Sequence, residues 1–183
     1  MEKSIHSLGI VKKLTAKHLT IMAMVIAMRF VIGLVPGFKY GNIVEFGVGF
    51  VGSAISGALL GPFYATITAV AYDILDFFLS NTGYMFFPGF TLSAGLGGLI
   101  YGWGLWRKEK SLKQIAITVL IITLVINIIL NSLWIKMMYG TAWMVLIQPR
   151  LIKNLISFPV NTGILYYLFN HPQFKRFIDR NQF

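Results

Sequence analysis

The sequence predicts an all-α protein, an integral membrane bundle of six transmembrane helices with both termini in the cytoplasm, and three observations predict it. Hydrophobic residues fill 56% of the 183 positions and charged residues only 12%, against about 25% charged in a soluble domain. Six apolar stretches approach the roughly 20 residues that cross a bilayer. The basic residues, 16 against 6 Asp and Glu, collect beside those stretches. Lys3, Lys12, Lys13 and Lys17 precede the first; Arg107, Lys108, Lys110 and Lys113 separate the fourth from the fifth; Lys175, Arg176 and Arg180 follow the sixth. The positive-inside rule places all three clusters on the cytoplasmic side. The formal charge of +10 therefore reports orientation in a lipid bilayer, and no nucleic-acid partner is expected.

The chain reads as a single membrane domain: a cytoplasmic N-terminal segment over 1–18, a six-helix bundle over 19–170 and a cytoplasmic tail over 171–183. Basic residues precede the first apolar run, but no small-residue cleavage pattern follows cleanly and five more spans do, so it is read as a retained helix. That first span, 19–35, carries Ala23 and Ala27, a small-x-x-x-small pair among Met22, Met24 and Met28. Such a pair serves tight packing or a smooth, adaptable surface for a partner helix. A short outward loop follows, Pro36 to Gly41, whose rings Phe38 and Tyr40 and cation Lys39 suit a lid.

The second span, 43–60, and the fourth, 88–106, are rich in glycine: Gly47, Gly49, Gly52 and Gly57, with Gly61 just beyond, and then Gly95, Gly97, Gly98, Gly102 and Gly104. Small residues let helices approach closely where lipid supplies no hydrophobic drive between them. The third span, 63–79, holds Asp73 and Asp76. A carboxylate near the bilayer centre costs about 2.5 to 3.5 kcal/mol on the insertion scale, so each is expected to be paired, for instance with Arg29, or to face a cavity. The loop from Ser80 to Pro88 has no charge but carries Tyr84, Phe86 and Phe87, rings that suit either the interfacial belt or stacking on a flat ligand.

The fifth span, 112–135, and the sixth, 151–169, carry the polar groups around which the rest is organised. Asn127, Asn131 and Trp134 fall at i, i+4 and i+7 and so share one helical face. Beyond a loop with Tyr139, Gly140 and Trp143, Pro149 is placed where a helix begins, because its missing N–H costs nothing there. Arg150, Lys153, Asn154, Ser157 and Asn161 follow at helical spacing, and Pro159 is expected to bend the span. Two cations near a helix N-terminus outline a pocket for an anion.

Much chemistry is missing. Cysteine is absent, so there is no disulfide or thiolate chemistry. No G-x-x-x-x-G-K-[ST], H-E-x-x-H or G-x-S-x-G occurs, and His6, His18 and His171 lie near or beyond the ends of spans. No metal site, cofactor or catalytic residue is expected. Asp73-x-x-Asp76 leaves one enzymatic rival, a Mg²⁺-dependent membrane phosphotransferase, although with Glu45 only three carboxylates lie near the spans.

Several of these runs together form a recognisable pattern. Gly83-Tyr84-Met85-Phe86-Phe87-Pro88-Gly89-Phe90-Thr91-Leu92, continuing to Gly98-Leu99-Ile100-Tyr101-Gly102, resembles the third-to-fourth helix region of the folate-specific S components of energy-coupling factor (ECF) transporters, the FolT family. Asn131-Ser132-Leu133-Trp134, Tyr139-Gly140, and the run Pro149-Arg150-Leu151-Ile152-Lys153-Asn154-Leu155-Ile156 with Pro159 resemble its fifth and sixth helices. Gly61-Pro62 and Tyr72-Asp73 are similar to S components in general. The resemblance implies a non-catalytic, multi-pass subunit in the bacterial cell membrane that captures folate from outside. It implies docking on a transmembrane subunit, EcfT, joined to two cytoplasmic ATPases, with Ala23 and Ala27 matching the Ala-x-x-x-Ala that meets EcfT.

Folate suits the candidate residues. Its glutamate tail offers two carboxylates to Arg150 and Lys153. Its pterin edge offers an amino group and a ring N–H that Asp73 accepts with Asn131 assisting. Its flat rings call for Trp134, Phe87, Tyr84 or Phe38 as stacking partners. The rivals are an S component for another vitamin or pterin, the phosphotransferase, and a purely structural membrane subunit.

Overall fold

The computed structural model describes residues 15–35, 38–40, 44–79, 85–140 and 142–182, with 38–40 and 44–46 placed by their backbone. Lys3, Lys12 and Lys13, and also Pro36, Gly37, Gly41, Ser80, Gly83 and Tyr84, lie outside the described residues.

The first apolar stretch forms α1 (Ala16–Gly33). The loop after it is built as an antiparallel hairpin, β1 (Phe38–Tyr40) with β2 (Val44–Phe46), in which Lys39 stands opposite Glu45. This corrects the expected start of the second span. Val44, Glu45 and Phe46 alternate apolar and polar in the two-residue period of a strand, and the helix begins only at Gly49.

The second and third spans form α2 (Gly49–Leu79), broken at Gly61, whose φ of 72° and ψ of 177° are not helical and are open to glycine, with Pro62 next. Phe50 and Asp73 line one cavity, although a straight helix would hold them about 34 Å apart. The two arms of α2 therefore lie side by side. The fourth span is α3 (Pro88–Leu105), with its proline at the first turn. It packs against both arms at backbone contact: a β-carbon at Gly57 would meet the backbone of Tyr101 at 2.6 Å, and one at Gly98 the Ala65 carbonyl oxygen at 2.5 Å. The glycine-rich spans thus meet each other, as small residues in lipid should.

The fifth span runs continuously as α4 (Leu112–Ile121), a π-helix (Ile122–Leu130) and α5 (Asn131–Tyr139), which Gly140 ends in a left-handed conformation. The sixth is α6 (Trp143–Asn170). Here a second expectation is corrected: Pro149 sits inside α6, two turns from its start. Arg150 and Lys153 consequently lie beyond the first turn, where the field of a helix N-terminus has faded. On α6 Ile152 and Leu155 are exposed while Asn154 and Ser157 are buried, the arrangement that suits a lipid exterior and a polar interior.

Residues 172–181 of the expected tail form α7 (Pro172–Asn181). Phe174 and Ile178 share one face; Phe174 meets the Phe169 ring at 5.7 Å, Ile178 is buried, and the Gln182 amide donates to the Ala58 carbonyl at 2.7 Å. Among the described residues three helical runs, Ala16–Gly33, Gly49–Leu79 and Leu112–Tyr139, are long and apolar enough to cross a membrane. In α3 and α6 that character is diluted by glycines and by the polar groups they turn inward.

Candidate ligand-binding site

The interior of the bundle holds a cavity of about 340 Å³ to which every membrane helix contributes: Arg29 from α1, Phe50 and Asp73 from the two arms of α2, Phe90 and Ser93 from α3, Asn127 and Asn131 from the π-helix and α5, and Asn161 from α6. Asp73 is half-buried and its carboxylate is oriented by the Thr91 hydroxyl, which donates to Oδ2 at 2.7 Å. Asn131 aims a buried Oδ1 that has no hydrogen-bond partner, and Arg29 has a buried Nη1 in the same condition. Such atoms are costly in a dry interior unless a ligand or water meets them.

A second cavity of about 280 Å³ adjoins the first through Phe50, Asn127 and Asn161, which line both, and brings in Lys153, Asn154 and Ser157. Strand β2 runs beside α6, so the hairpin lies near this end. The two spaces together have the size and mixed lining of a small-molecule site.

Of the residues expected from sequence, Asp73 and Asn131 meet in one cavity and Lys153 lines the neighbouring one. Arg150 stands just outside the lining, its Nη1 donating to the Asn127 carbonyl at 2.9 Å. Trp134 and Phe87 back the wall: the indole N–H donates to Ser93 Oγ at 2.8 Å, the Phe87 ring lies 5.8 Å from Trp134 and 6.1 Å from Phe90. Phe38 is placed by its β1 backbone alone. Asp76 lies outside the lining of both cavities and accepts a hydrogen bond from the Tyr72 hydroxyl.

Arg29, Phe50, Phe90 and Ser93 are among the lining residues that the sequence did not mark as candidate ligand contacts. Arg29 had a signal, being a lone cation within an apolar span; its guanidinium lies 4.0 Å over the Tyr72 ring and within the field of Asp73 and Asp76. Phe90 and Ser93 had none, since nothing local marks which face of a glycine-rich helix turns inward. The π-helix was also unforeseen. It lets the Asn131 backbone N–H donate to the Ile126 carbonyl five residues back, and such windings occur often at functional sites.

Residues 17–169 match the family described as ECF transporter, substrate-specific component. The chain is 38% identical over 124 residues to the folate transporter FolT of Clostridium novyi, covering 68% of this chain and 72% of that one. It is 34% identical to the folate transporter FolT of Leuconostoc mesenteroides over 87% of this chain and 88% of the relative. Its fold is similar to the crystal structure of FolT bound with folic acid, at a TM-score of 0.79 and 33% identity, covering 87% of this chain and 96% of the other. The S component for biotin from an ECF-type ABC transporter shares the fold at a TM-score of 0.61 and 20% identity, over 90% and 99% of the two chains. The chain is a multi-pass membrane protein and belongs to the family of ECF transporter substrate-specific components.

Proposed function

We propose that this chain captures folate from outside a bacterial cell and presents it to EcfT, a transmembrane subunit joined to two cytoplasmic ATPases, with both of its own termini in the cytoplasm. The observation that carries the reading is the pair of joined cavities, in a chain whose relatives are folate transporters. At one end stand an oriented carboxylate and a bare amide oxygen, and at the other a lysine. The pterin amino group and ring N–H donate to Asp73, with Asn131 Oδ1 accepting beside it. Phe90 faces the rings, backed by Phe87 and Trp134. The glutamate carboxylates reach toward Lys153 and Arg150. Nothing in this scheme breaks a bond; the chain binds and releases, and ATP is hydrolysed by the partners.

For the partner, Ala23 and Ala27 are both exposed on α1, a face of small side chains against which another helix packs closely.

Titrating the purified chain in detergent with folic acid, by calorimetry and by tryptophan fluorescence, tests the reading. Saturable binding at one site per chain is expected, with biotin giving no signal. Absence of both heat and quenching with folic acid would refute it.

A further inference from the structure

A third cavity, of about 600 Å³, opens where the turn between α3 and α4 meets the end of α6 and the length of α7, and it shares no lining residue with the two above. Its wall is predominantly cationic: Arg107, Lys108, Lys110 and Lys175 stand against Glu109 and Asp179. The Arg107 side chain and the Lys110 backbone are tied to their surroundings. Arg107 has a φ of 50°, a left-handed backbone that residues with a β-carbon rarely adopt, and its guanidinium lies 4.5 Å over the Trp106 ring. The Lys110 carbonyl accepts from the Asn170 amide at 3.1 Å, which fastens the turn to α6. Burial pushes the Lys110 ammonium below its ordinary value; Asp179 opposes the shift and the like charge of Lys175 adds to it.

Ammoniums crowded into a half-covered cleft favour a shared anion. The anion's surroundings are apolar as well: Leu112, which opens α4, and Tyr166, one turn before the end of α6, are both in the lining and exposed, and Phe177 is exposed on α7. We propose that this cleft holds the phosphate headgroup of an anionic phospholipid, whose acyl chains run over Leu112 and Tyr166. Basic pockets between transmembrane helices take such headgroups, and a zwitterionic lipid gains less there. The bound lipid would bridge the α3–α4 turn, α6 and α7 and hold α7 at the membrane surface.

The test is native mass spectrometry of the full chain from micelles holding equal amounts of phosphatidylglycerol and phosphatidylcholine. Preferential retention of phosphatidylglycerol is expected. The double variant Lys110→Gln, Lys175→Gln should lose roughly tenfold or more of that preference, since each interfacial cation contributes about a fivefold factor. Asp179→Asn, which removes an opposing charge, should raise it. An unchanged unfolding midpoint in lipid-free detergent shows that both variants are folded. Equal retention of the two lipids by the wild type, or an unchanged preference in the double variant, overturns the proposal. Displacement of the lipid by millimolar inorganic phosphate would assign the cleft to free phosphate instead. Absence of lipid preference with capture of a polyglutamate peptide would assign it to an acidic protein segment, and either result also overturns the lipid.

Discussion

Arg150 on α6 donates from Nη1 to the backbone carbonyl of Asn127, 2.9 Å away in the π-helix. Asn127 also lines both interior cavities. One cation therefore ties the two polar helices together at the seam of the site, while Lys153, one turn on, stands in the lining itself.

This difference separates the two cations experimentally. A hydrogen bond to a charged donor contributes about 1.5 to 3 kcal/mol, so Arg150→Ala should lower both the unfolding midpoint and folate affinity. Lys153→Ala should lower affinity by removing a cation from the lining itself. Thermal unfolding and calorimetry on both variants check this, and equal midpoints for Arg150→Ala and wild type would show that the Asn127 contact contributes nothing.

Asp73→Asn keeps an oxygen for the Thr91 hydroxyl but replaces a carboxylate acceptor. Folate affinity should fall on the order of ten- to a hundredfold, the scale of one charge-assisted hydrogen bond. Thr91→Val should give a smaller loss by freeing the carboxylate to rotate. Asp76→Asn, outside both cavities, should leave affinity within about twofold, a scale set by the small effects expected away from the ligand.

Trp134→Phe retains a ring beside Phe87 and removes the donor to Ser93 Oγ, at a cost of about 1 kcal/mol in stability. Ser93→Ala removes the acceptor. The double variant should cost less than the two single losses added, because both delete the same bond; strict additivity in chemical unfolding would show the pair to be uncoupled.

Two glycines with opposite surroundings test the close packing of α2 and α3. A β-carbon at Gly98 would meet the Ala65 carbonyl oxygen at 2.5 Å, whereas nothing lies within 4 Å of one at Gly163. Gly98→Ala should destabilise by about 1 to 3 kcal/mol, since backbone must shift. Gly163→Ala should be neutral or stabilising by up to about 1 kcal/mol.

On α1, Ala23→Leu together with Ala27→Leu should leave folate binding by the isolated chain intact and block its co-purification with EcfT, because the added side chains hold a partner helix away. Co-purification at wild-type yield would remove this face from the interface.

Part of the cavity lining was legible because polar atoms stand out against lipid. Asp73, Asn131 and Lys153, which line the two cavities, drew notice because each is costly in an apolar span unless it faces a cavity or a partner. The π-helix was hidden, because an apolar run such as Ile122–Leu130 satisfies either winding. Pro149 misled, because a proline is tolerated both at a helix start and within a membrane helix.

By itself the sequence determined the membrane class, the six crossing segments, the gathering of cations at their ends and the polar residues too expensive to leave in lipid. Those are sums of local transfer energies, additive along the chain and readable in order. Tertiary structure alone decided that the arms of α2 fold together at Gly61, that Phe90, Ser93 and Arg29 turn into the same space as Asp73, and that Arg150 braces Asn127 from outside that lining. Helical periodicity says which residues share a face of one helix. Which faces then meet depends on shape matching between distant segments, a property that no single stretch of chain contains.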